Sequence, residues 1–173
     1  MKSTLNDLKA RRSCRSYRTE QVSEELLNQV LEAGTYAATG MGMQSPLMVV
    51  VQDKETVAYL SKLNAQVMGQ TSGDPFYGAP TVVIVLADAS RPTYVEDGSL
   101  VIGNLMNAAH ALGLGSCWIH RAREVFASEE GKALLKKWGI EGNYVGVGNC
   151  ILGYARDEAS APKARKADYI RRV

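Results

Sequence analysis

Apolar residues along this chain fall into two alternating patterns, helical spacing and short unbroken runs. Leu5 and Leu8, three apart, predict a short amphipathic helix that runs out near Arg12. Leu26, Leu27, Val30 and Leu31 predict a second helix, with Ser23 as its N-cap, Glu24 and Glu25 at its positive end and Gly34 as its stop. A loop rich in glycine, methionine and small residues follows over 35–46, and then the run Leu47–Val51 reads as a buried strand. Asp53 caps a third helix carrying Val57, Leu60, Leu63 and Val67. Residues 69–80, with three glycines and two prolines, form a loop before the strand Thr81–Leu86. The longest helix is expected over Glu96–Leu112, where Ile102, Leu105, Met106, Ala108, Ala109 and Leu112 leave little polar surface. A helix apolar nearly all round is buried, here as a central helix shared with a second subunit. A strand over Ser116–Ile119, a single helix over Glu124–Trp138 and a strand over Tyr144–Tyr154 complete the series.

This order describes one domain over residues 1–173, a mixed layer fold of helices and strands with no internal repeat. The pattern alone does not separate it from a flavodoxin-like parallel sheet. A chain of 173 residues with 46% apolar content has room for a sizeable core. Its net charge is only +2, but the charge is unevenly placed. Residues 1–18 carry six basic side chains and one acidic, residues 156–173 carry six basic and three acidic, and the body between them is acidic. Basic ends on an acidic body suit local capture of a small anion better than nucleic acid, whose partners spread positive charge along a face. No signal peptide or long apolar run is present, so a cytoplasmic protein without membrane contact is expected. Cys14, Cys117 and Cys150 lack metal-ligand spacing, which predicts no metal site and free thiols in a reducing compartment.

The two basic clusters carry the candidate chemistry. Arg11, Arg12, Arg15 and Arg18 alternate with Ser13 and Ser16, and Lys163, Arg165 and Lys166 echo them near the other end. Arginine offers a planar fork of donors suited to phosphate, and serine hydroxyls add short-range donors. The pairs Gly40/Gly42, Gly113/Gly115 and Gly146/Gly148 match neither a dinucleotide fingerprint nor a phosphate loop. His110 lies inside the apolar helix and reads as a core histidine, and Cys14, between arginines, has no histidine nearby in sequence to pair with.

The stretch Arg11-Arg12-Ser13-Cys14-Arg15-Ser16-Tyr17 resembles the opening signature of the nitroreductase family, the FMN-dependent NAD(P)H oxidoreductases. The resemblance returns at Ala38–Pro46, at Gly113–Ile119 and at Pro162–Arg165. It implies an α+β fold, a central, mainly antiparallel sheet flanked by helices, in an intertwined homodimer with FMN at the subunit interface. It further implies that Arg11, Ser13, Lys163 and Arg165 hold the FMN phosphate, with Arg12 between them. On the same match Arg15 lies near the flavin pyrimidine ring, Asn64 reaches the ring edge, and Ile119, His120 and Arg121 follow the turn against the flavin. Ala38, Thr39, Gly40 and Gln44 would come from the second subunit. Gly42 and Ser45 depart from the usual pattern, an asparagine at the first position and a direct Gln-Pro at the second. The implied reaction passes hydride from NAD(P)H through flavin N5 to a nitroaromatic, quinone or similar small-molecule acceptor, with no side chain acting as acid or base. The alternatives are a flavoenzyme with a specialised metabolite reaction, such as dehalogenation or dehydrogenation, and a non-enzymatic nucleotide-binding module.

Overall fold

The run predicted over Thr81–Leu86 becomes strand β2 (Thr81–Asp88), and its residues Val82 to Ala87 are wholly buried. Such a strand can sit only between two apolar layers. In the computed structural model, which describes residues 4–70 and 72–173, that is its position. The first three residues of the predicted domain and Thr71 of the predicted 69–80 loop lie outside the described residues.

Strands β1 (Pro46–Val51), β2, β3 (Gly115–Ile119) and β4 (Tyr144–Gly153) form one sheet in the order β1-β2-β4-β3. All three pairings are antiparallel, which identifies the fold as α+β and excludes the flavodoxin-like alternative. Helices α2 (Glu24–Thr35) and α4 (Tyr94–Ala111) cover one face, packing Leu27, Val30, Val101, Ile102 and Leu105 against Val83, Val85 and Leu152. Helices α3 (Lys54–Val67), α5 (Ala122–Ala127) and α6 (Glu129–Lys137) cover the other, where Leu60, Leu63, Val125 and Phe126 meet Val82, Ile84 and Ile151. Helix α1 (Thr4–Ala10) lies beside α4, and Asp7 faces His110 there at 4.0 Å.

The predicted caps form. Ser23 accepts from the Leu26 N–H at 3.4 Å, and Asp53 accepts from the Thr56 N–H at 2.8 Å. The single helix expected over Glu124–Trp138 is instead two. The chain turns extended at Ser128, whose hydroxyl donates to the Val125 carbonyl and accepts from the Gly131 N–H, closing α5 and opening α6. A β-bulge interrupts β4 between its pairings with Val85 and Leu86. Gly146 there lies directly on the Ala122 backbone, so the Gly-x-Gly pair in this strand is a packing feature.

Residues 13–18 are threaded along the sheet edge. Ser13 bridges Ser116 of β3, Arg18 N–H donates to Tyr154 and Arg156 N–H donates to Ser16. The tail therefore leaves β4 beside the N-terminal arginines. That pairing decides where the site forms.

Candidate functional site

Because residues 16–18 are bonded to residues 154–156, the two basic clusters from opposite ends of the chain meet. They enclose a cavity of about 500 Å³ walled by Arg12, Ser13, Arg15, Lys163, Arg165 and Lys166. No carboxylate lines it. Arg15 also belongs to the wall of a second cavity of about 480 Å³, so the two spaces adjoin at that residue. This second cavity is lined by Asn64, Met68, Pro75, Tyr77, Trp118 and the backbone run Ile119-His120-Arg121.

The backbone run is fixed from several sides. Asn64, 1% exposed on α3, donates from Nδ2 to the His120 carbonyl at 2.8 Å. Asn149 of β4 donates to the Ile119 carbonyl at 3.4 Å. Arg121 takes a left-handed conformation at φ 80°, uncommon for a residue with a Cβ, and its guanidinium pairs with Glu124 at 3.0 Å. Opposite, Tyr77 is also left-handed at φ 55°, with the Arg15 guanidinium 6.0 Å from its ring centre. Asp74 builds the turn that holds Tyr77, accepting from the Ser61 hydroxyl and from the Phe76 and Gly78 N–H groups. With those contacts Asp74 is occupied as a structural group, although it lines the cavity.

The predicted site residues thus separate into two groups. Arg12, Ser13, Arg15, Asn64, Ile119, His120, Arg121, Lys163 and Arg165 line the two joined cavities. Arg11 does not line them, but its Nη1 is buried without an acceptor. Ala38, Thr39, Gly40 and Gln44 lie on neither wall. They stand on a separate loop between α2 and β1, around the single 3-10 turn Gly40–Gly42. Asn149, Asp74 and the buried Asp97 are residues that the sequence pattern does not single out. An asparagine inside the apolar run of β4 was the one available signal, since asparagine is depleted in strands.

Buried polar atoms left without partners test what the cavities would accept. Arg11 Nη1 and Arg12 Nε are donors in need of an acceptor, and Asn64 Oδ1 is an acceptor in need of a donor. Native proteins leave few such atoms, so each requires a reason. A phosphate-bearing ligand whose ring carries an N–H edge would offer an acceptor to Arg12 and a donor to Asn64, the two that line the cavities, and the residues present fit FMN on that ground.

The fold is an antiparallel α+β sheet between helices, and its two terminal basic clusters meet on one cavity. The nitroreductase family matches residues 8–154, and this chain belongs to it. The chain is 32% identical over 164 residues to a protein of Archaeoglobus fulgidus provisionally described as an NADH dehydrogenase/NAD(P)H nitroreductase, covering 91% of this chain and 88% of that one. Among solved structures, a nitroreductase with bound FMN from Bacteroides fragilis is 30% identical and superposes with a TM-score of 0.87 over 100% of both chains. A nitroreductase with bound FMN from Desulfitobacterium hafniense is 27% identical, with a TM-score of 0.88 over 100% of this chain and 99% of that one.

Proposed function

We propose that this chain, as a single domain over residues 1–173, binds FMN and works as an NAD(P)H oxidoreductase on small aromatic acceptors, nitroaromatics or quinones. The observation that carries the reading is the meeting of the two terminal basic clusters on a cavity that shares Arg15 with a second, mainly apolar and aromatic one. When bound, FMN supplies the chemistry, taking two electrons with a proton from NAD(P)H and returning them to the acceptor.

The chain's own residues position and neutralise. Ser13, Arg12, Lys163 and Arg165 offer charged and hydroxyl donors to the phosphate, with Arg11 behind them. Arg15, between the cavities, supplies a fixed positive charge where negative charge grows on the reduced ring. Asn64 holds the His120 carbonyl aside and leaves its own Oδ1 for a ring N–H. The strained Arg121 turns the backbone after β3 toward the cavity. Met68, Pro75, Tyr77 and Trp118 favour a flat aromatic acceptor over an aliphatic one. The loop carrying Ala38, Thr39, Gly40 and Gln44 completes the site from a second copy, so the working unit is a homodimer. Three free thiols suit a reducing, cytoplasmic compartment.

The visible spectrum of the purified protein tests this. A yellow protein, or one that turns yellow with added FMN, whose absorbance falls with NADH or NADPH, is the expected result. A colourless protein that takes up no FMN would favour a nucleotide-binding module without redox chemistry.

A further inference from the structure

The loop over residues 39–45 is held in an unusual shape. Met41 (φ 51°), Gly42 (φ 66°) and Gln44 (φ 49°) are all left-handed, and two of the three carry a Cβ. Met41 is 89% exposed, and Met43 is exposed as well. Left-handed residues other than glycine persist only where surrounding structure over-determines them. Within the loop the Thr39 hydroxyl accepts from the Gln44 N–H at 3.0 Å, and the Asp88 N–H donates to the Ser45 carbonyl at 3.1 Å; from α4 a single carboxylate ties both ends. Asp97, in the first turn of α4 and 2% exposed, accepts from the Gly40 N–H at 2.9 Å through Oδ1 and from the Ser45 hydroxyl at 2.7 Å through Oδ2. Gly40 and Ser45 are the two feet of the loop. Thr93 lies directly under Gly40, where a Cβ would meet its hydroxyl.

We infer that Asp97 is a positioning residue: it clamps both feet of the 39–45 loop and so holds the exposed apex in the shape that closes the cofactor site of a second copy. Two observations support it independently. The two cavities of one chain are lined by none of the loop's residues, so the loop has no part in its own chain's basic and ring cavities. The clamp also fixes only the feet, and the exposed methionines and the Gln44 side chain remain available. The cofactor half of the inference rests on the proposed function, while the clamp itself does not.

Asp97→Ala and Ser45→Ala are compared with wild type and with Asp97→Asn, whose amide can still accept from Gly40 and donate to Ser45. Hydrogen exchange of the Gly40 amide in FMN-free protein is the first readout. It is expected to speed up at least tenfold in Asp97→Ala and less in Ser45→Ala, while the β2 amides keep wild-type protection. FMN affinity is the second, expected to weaken about tenfold in Asp97→Ala and to return to within about threefold of wild type in Asp97→Asn. Faster exchange in β2 as well as at Gly40 would make Asp97 an ordinary core residue and overturn the clamp, as would unchanged exchange at Gly40. Local loosening with wild-type FMN retention would overturn the link to the cofactor. A wild-type protein that binds no FMN overturns the proposed function and the cofactor half with it, and the exchange data still decide the clamp.

Discussion

Two single residues in the ring cavity have separable roles. Arg15 stands exposed between the cavities, near no carboxylate on either wall except the occupied Asp74. Unit charges about 4 Å apart attract by about 4 kcal/mol at an effective dielectric of about 20. Delocalisation over a flavin and water around this guanidinium reduce that to about 1–2 kcal/mol, or about 20–45 mV for a two-electron couple. Arg15→Gln is therefore expected to lower the midpoint potential of bound FMN by a few tens of millivolts, measured by spectroelectrochemistry on loaded protein. An unchanged potential would remove Arg15 from the ring. Asn64 makes the opposite trade. Replacing it with leucine loses one hydrogen bond, worth about 1 kcal/mol net, but also removes a buried orphan acceptor whose desolvation costs about 1–3 kcal/mol. FMN-free Asn64→Leu should thus unfold in urea within about 1 kcal/mol of wild type, yet bind FMN more weakly. A variant equally impaired with and without FMN would make Asn64 a packing residue only. Asp97 is different again, because its carboxylate is fully served. Burial alone would raise its pKa, but the hydrogen bonds from Ser45, Gly40 and Thr93 outweigh burial and hold it below the ordinary range. A depressed carboxylate contributes stability above its unfolded pKa of about 3.9 and loses it only as pH falls through the lower folded value.

At the scale of elements, most of the helices and strands were legible because caps and apolar spacing agree. Ser23 and Asp53 were read as N-caps and are N-caps. The expectation of one helix passes over the break between α5 and α6. Val125 and Phe126 fall about half a turn out of helical phase with Leu134, Leu135 and Trp138, and that phase change across Ser128 is the signal of the break in the sequence. What holds the break is local: Gly131 sits against the Val125 carbonyl, where a Cβ would clash, and Ser128 bonds to both sides. Ser128→Ala removes both the α6 cap and the bond to Val125, and is expected to cost about 1–2 kcal/mol in urea unfolding. A cost near zero would mean the break is held by Gly131 alone. Strand direction was also beyond the sequence. With both faces of β2 covered, its residues form a continuous apolar run, the same reading a parallel strand gives. Only the resemblance carried by Arg11–Tyr17, Ala38–Pro46, Gly113–Ile119 and Pro162–Arg165 together points to an antiparallel sheet.

For the whole molecule, the sequence showed two basic clusters but not what joins them. The joining element is the pairing of Ser16 to Arg18 with Tyr154 to Arg156, a few backbone bonds with no composition signature. If that convergence anchors a phosphate, Arg165→Ala should weaken FMN binding by about 1.5–3 kcal/mol, the magnitude of a charged hydrogen bond. Wild type should then prefer FMN to riboflavin, and equal affinity for the two by fluorescence quenching would refute a phosphate anchor. The loop over 38–44 poses a second question of scale, because its residues line neither cavity of their own chain. Helix α4 offers a place where another copy could sit. Leu100 is 50% exposed, and Gly103, one turn on, has open space where a Cβ would project. Residues three apart share one helix face, and a glycine there lets a partner backbone approach closely. Within one chain, Gly103→Ala meets no neighbour and gains helix propensity, so a monomer should be stabilised by about 0.8–1 kcal/mol. In a dimer packed on this face, Gly103→Leu should instead shift light scattering toward the monomer on dilution. FMN retention should fall with it, since the 38–44 loop would leave the partner's site. A Gly103→Leu protein that stays dimeric and keeps its flavin would place the subunit contact elsewhere on the molecule.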